Sequence, residues 1–228
     1  MNVDSRRGRW FFISIAALLL VIIAVGFARS FYLRGLFHSG HAASTGLPIY
    51  LVVHGTVLTL WFLLFLVQTL LASSGRIRMH RSHSIAGAVL AAIVFSLSLV
   101  VVVRSVPRET SLVVIGDMIV LILFAIFISL AIRFRRKPEV HKRLMTIASI
   151  SIVAPAIARW PGAQAMLPLS VVLPQLSMLA TQVVYDVRSR RRVHPATAWG
   201  VAAYLVALGI TLPLASSKLG HTLVNALT

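Results

Sequence analysis

Residues 112–132 read LVVIGDMIVLILFAIFISLAI, a run with one carboxylate and no basic group. At about 1.5 Å of rise per residue, a helix of roughly 20 residues covers the hydrocarbon core of a bilayer. Six further runs of the same kind fill most of the chain: 10–28, 47–73, 84–103, 144–160, 165–185 and 196–215. The expected fold is therefore all-α, a polytopic transmembrane bundle of about seven helices forming one integral membrane domain over residues 1–228. Composition agrees, with 58% hydrophobic residues, 12% charged residues and a mean hydropathy of +0.92. Those values exclude an ordinary soluble domain and a disordered chain.

The run 144–160 is the shortest and contains Pro155. It is separated from the next run by little more than Trp160, Pro161 and Gly162, so either a tight turn between two crossings or a re-entrant segment is expected. Pro155, Pro168, Pro174 and Pro213 each leave a backbone carbonyl without its usual partner, which requires neighbouring helices or water to supply donors. The first run follows Arg6, Arg7 and Arg9 and is longer than a cleavable signal segment, so it reads as an uncleaved anchor.

There are 22 Lys and Arg residues against 5 Asp and Glu, a formal charge of +17. The basic residues cluster between apolar runs and are not interleaved with aromatics, which argues against nucleic acid and for anionic lipid headgroups as the partner. Counted on alternate sides, 16 basic residues fall on the side of the N terminus and six on the other. The positive-inside rule then places the N terminus in the cytoplasm of a bacterial inner membrane. Cysteine is absent, so thiolate metal sites, disulfides and covalent haem attachment are excluded. A phosphate-binding glycine loop, a nucleophile elbow and paired carboxylates are also missing, which makes hydrolase chemistry improbable.

Histidine carries most of the functional signal. Met79-His80, Val140-His141 and Val193-His194 each follow a basic cluster and precede an apolar run, and His83 lies one turn beyond His80. If the helices that follow adjoin, His80, His83, His141 and His194 converge as metal ligands, or a subset of them as haem ligands. The ordinary alternative for each is an interfacial anchor bonded to water and headgroups. His54 lies inside a run, with Trp61 and Gln68 at successive steps of seven on the same helical face. Asp117 is embedded at a similar depth, and Arg159 is near the same membrane face. A carboxylate there must pair, protonate or line a wet cavity, so His54, Asp117 and Arg159 form a candidate polar intramembrane site, either functional or an interhelical staple. His38 and His41 are one turn apart in a loop and form a further possible metal pair.

The segments Val53-His54-Gly55, Trp61, Gln68, Gly75-Arg76, His80-Arg81, Gly116-Asp117, Pro138 to Met145 and Val193 to Thr197 resemble an uncharacterised group of small polytopic bacterial membrane proteins. More distantly, His54-Gly55 and His80 at the start of consecutive helices are similar to ascorbate-reducible cytochromes b, which implies haem b held by histidines such as His80, His141, His194 and His54. His141 with Met145 also resembles a pattern in membrane factors for terminal oxidase maturation. The reading that follows is a histidine-ligated haem or metal protein in respiratory electron transfer. Its alternatives are an accessory subunit or assembly factor of a larger respiratory or photosynthetic membrane complex, and a small proton-coupled transporter working through Asp117 and His54.

Overall fold

The computed structural model describes the backbone of residues 3–37 and 46–227, and the side chains within those ranges from Gly8 onward. His38 and His41 lie outside the described residues. All regular structure among the described residues is helical. The helices are α1 (Val3–Phe27), α2 (Arg34–Phe37), α3 (Ile49–Ser73), α4 (Ile77–Ser82), α5 (Ser84–Ser105), α6 (Ser111–Arg133), α7 (Pro138–Ser151), α8 (Ala154–Ile157), α9 (Leu169–Arg190), α10 (Pro195–Ala215) and α11 (Lys218–Asn225). The expected all-α membrane architecture is the one observed.

Among the described residues, five segments are long and apolar enough to cross a membrane: Gly8–Tyr32 (α1 and its π-helical extension), α3, α5, α6 and α10. Each matches one of the seven expected runs. The other two runs are built differently. In place of a helix over 144–160, α7 starts at Pro138 and ends at Ser151, and after a break only one helical turn, α8, follows. Proline suits the first turn of a helix, where an amide has no intrahelical acceptor. Pro155 explains the other end, because it lacks the amide that would bond the Ser151 carbonyl. Gln175 of α9 provides the missing donor, with Nε2 at 2.9 Å from the Ile150 carbonyl oxygen and 3.2 Å from that of Ser151.

Helix α9 has the length of a span, yet the face it buries sets Gln175, Gln182 and Asp186 beside Met178 and Leu179. It lies antiparallel to α7, since Gln175 meets Ile150 while Asp186 meets Arg143. Together α7, α8 and α9 follow most of α1. Gly8 faces Tyr185, where a Cβ would stand 2.6 Å from the hydroxyl, and a Cβ on Gly26 would overlap the Ala156 carbonyl oxygen. Gly8 and Gly26 are about 27 Å apart along a helix. Glycine lets the backbones come together at both levels.

Helix α7 is the centre of the bundle. Arg143, Leu144 and every residue from Thr146 to Val153 are buried. Helices α1, α6, α9 and α10 pack around it. The lateral surface is the reverse, with Val21, Leu60, Leu63, Ile93, Ile122, Ile126 and Val206 among many exposed apolar side chains. Apolar atoms facing outward along whole helices are the arrangement that lipid, and not water, accommodates.

Candidate functional site

Helix α3 packs on α5 and α5 on α6, three spans in order along the chain, so α3 and α6 run in the same direction. They meet where Trp61 and Phe124 are edge to face, with ring centroids 5.3 Å apart. Seven residues is nearly two turns, about 10.5 Å along a helix, and returns to the same face. Stepping seven residues in either direction from this aromatic layer therefore reaches matched levels on the two helices. One way lie His54 and Asp117. The other way lie Gln68 and Ala131, toward the end that carries the basic loops.

At that basic end two imidazoles meet. His80 is on α4, turned back toward α3 by Gly75, whose φ of +78° is a conformation that favours glycine. Its Nδ1 is 3.3 Å from the Gln68 carbonyl oxygen. His141, in the second turn of α7, places Nδ1 2.9 Å from the Ala131 carbonyl oxygen. The two ring centroids are 6.2 Å apart, with planes at 80°. A carbonyl can only accept, so in each neutral ring Nδ1 carries the hydrogen and Nε2 keeps its lone pair. Histidines that bind metals are oriented in this way. Burial also disfavours the charged form of His141, outweighing the Ala131 hydrogen bond, with the neighbouring His80 acting in the same direction as burial.

The remaining histidines are placed otherwise. His194 caps α10, its Nδ1 accepting from the Ala196 amide at 3.1 Å. That bond leaves the hydrogen on Nε2, the opposite tautomer to a ligand through that atom. His83 is exposed, with Nδ1 2.8 Å from the Met79 carbonyl oxygen of its own turn. Among the described residues no three His, Cys, Asp or Glu side chains gather as a metal site, so the four-histidine set expected from spacing is reduced to the pair His80 and His141.

At the opposite level His54 is half-buried, and its Nδ1 is enclosed without a hydrogen-bond partner among the described residues. Trp61 Nε1 and both amide atoms of Gln68 are likewise enclosed and unpartnered. The polar atoms of the expected stripe are thus enclosed within the bundle. Asp117 is also half-buried and forms no hydrogen bond or ion pair with a described residue. Arg159 acts electrostatically on both His54 and Asp117. Its direct contacts are elsewhere: Nη1 donates to the Pro155 carbonyl oxygen at 2.7 Å, and the guanidinium lies over Phe27 at 5.1 Å.

A third polar cluster is absent from the expectations above. Arg143 and Asp186 are both fully buried and paired, with Nε 2.9 Å from Oδ1 and a second, shorter contact from Nη2. The other carboxylate oxygen accepts from Thr197 Oγ1 at 2.6 Å and from the His194 amide at 3.1 Å. Arg143 Nη1 also reaches Glu139 at 2.7 Å, and Glu139 in turn accepts from Lys142 at 2.6 Å and Arg190 at 3.1 Å. Burial raises the Glu139 carboxyl, but hydrogen bonds from Lys142 and Arg143 and their charges outweigh it and pull the group down to about 2. Asp186 is lowered in the same way, with Arg143 and Thr197 overcoming burial. Arg143 counted only as one basic residue of a loop cluster in the sequence. The available signal was the scarcity of acids together with Gln175, Gln182 and Asp186 at steps of seven and four.

No family model matches the chain, and no curated protein or solved structure does either.

Proposed function

We propose that the protein is a multi-pass membrane electron carrier that holds a haem between His80 and His141. The observation that carries this reading is the convergence of two imidazoles from different helices, each tied through Nδ1 to a backbone carbonyl. A bare metal ion in a structural site takes about four protein ligands. A haem would need only two such side chains, because the macrocycle supplies the remaining ligands. His80 and His141, with rings 6.2 Å apart and each Nδ1 tied to a carbonyl, are the residues that would hold it. Bound haem would supply reversible one-electron transfer; the chain supplies the orientation of the two imidazoles. The charge asymmetry of the loops supports a cytoplasmic position for this pair in a bacterial inner membrane, and counting α7 with α8 as one crossing and α9 as another would bring the five spans to seven.

The test is an optical spectrum of the full chain purified in detergent from cells supplied with haem. A Soret band is expected, abolished or shifted by His80→Ala and by His141→Ala and unchanged by His83→Ala and His194→Ala. No Soret band and no stoichiometric iron in folded protein would overturn the reading. The unpartnered His54 nitrogen and Asp117 at one level favour a second reading, proton-coupled transport through that layer. It requires proton-coupled flux lost in Asp117→Asn.

A further inference from the structure

At the basic end of α6 a groove is lined by Ser129, Ile132, Arg133, Arg135 and Arg136. Its walls join two kinds of surface. Ile122, Ile126, Ser129 and Arg133 follow one another at steps of four, three and four, a single stripe on the outward side of α6. Ile122 and Ile126 are exposed, as are Ser129, Arg133, Arg135 and Arg136. The stripe therefore climbs from an apolar lateral face to three guanidiniums where the apolar span ends.

Among the described residues these arginines have no counter-ion. The chain has five carboxylates. Glu139 and Asp186 bind Lys142, Arg143 and Arg190. Asp117 and Glu109 belong to the opposite end of α6, and Asp4 lies outside the described side chains. Arg133, Arg135 and Arg136 make no ion pair with any described residue. Phe134 stands between two cations, with Arg133 at 5.9 Å and Lys137 at 5.7 Å from its ring centroid, which adds positive charge to the rim.

We propose that this groove is a binding site for one anionic phospholipid. The phosphate is held by the forks of Arg133, Arg135 and Arg136, whose planar donors match phosphate oxygens. One acyl chain lies along Ser129, Ile126 and Ile122. A free phosphate shares the headgroup chemistry but leaves the apolar stripe uncovered. The site does not depend on a cofactor at His80 and His141.

Native mass spectrometry of the full chain tests this, with phosphatidylglycerol offered against excess phosphatidylcholine, and separately against inorganic phosphate. Wild-type protein should retain one phosphatidylglycerol that inorganic phosphate does not displace. The triple variant Arg133→Gln, Arg135→Gln, Arg136→Gln should bind that lipid roughly a hundredfold more weakly, since each basic residue near an anionic surface contributes about a fivefold factor and three compound. A control with the same charge removed, Arg188→Gln, Arg191→Gln, Arg192→Gln, should keep that lipid. Equal loss in both triples would reduce the effect to diffuse attraction. Displacement by inorganic phosphate, or no preference over phosphatidylcholine, would also overturn the proposal. Should the groove triple fail to fold, Arg135→Gln and Arg136→Gln singly, both beyond the end of α6, provide the same comparison.

Discussion

Replacing Asp186 with asparagine removes a charge and leaves the side-chain volume almost unchanged, so its cost isolates the electrostatic role of the buried cluster. Arg143 and Asp186 are both 0% exposed. The substitution leaves a buried guanidinium without one of its two carboxylate partners and weakens two further bonds, from Thr197 and the His194 amide. Removing one partner of a buried ion pair costs about 3–5 kcal/mol, because the other charge stays desolvated. Arg143 retains Glu139, so the lower end applies, about 3 kcal/mol. The check is equilibrium unfolding in mixed micelles followed by circular dichroism. Glu139→Gln, at a half-exposed position, should cost about 1 kcal/mol or less. The double variant Arg143→Met, Asp186→Leu should lie closer to wild type than Asp186→Asn does, since no unpaired charge remains. An Asp186→Asn protein within about 1 kcal/mol of wild type would refute the reasoning.

Two other outcomes follow from the same geometry. Gln175→Leu removes the side-chain donor from the Ser151 carbonyl and one of the donors to the Ile150 carbonyl at the end of α7, and should destabilise by about 1–3 kcal/mol in the same unfolding assay; an unchanged midpoint would mean that water replaces the amide. Glu139 is held down to about 2, below its ordinary carboxylate value near 4.3, so its contribution is full above that value and fades as pH falls toward 2. Stability measured between pH 5 and about 2 should therefore fall more steeply for wild type than for Glu139→Gln, and parallel curves would remove this assignment.

The histidine pattern was legible only in part. Equivalent positions after basic clusters suggested one site for His80, His141 and His194, but sequence spacing does not say which helices adjoin. The chain brings α4 and the start of α7 together and turns His194 into a helix cap. The α3 stripe was readable because heptad spacing on a long helix fixes a common face, and its polar atoms are enclosed as expected. Its matching to α6 was not, since the register between Trp61 and Phe124 depends on both connecting turns.

Membrane residence and an all-helical fold were decided by the sequence alone. Hydrocarbon leaves a backbone no partner but itself, so long apolar runs have essentially one structure available to them. Which polar residues share an interior was decided by tertiary structure. Arg143 and Asp186 are 43 positions apart and meet because α7 and α9 pack antiparallel around a proline break, a relation that periodicity along one helix does not encode.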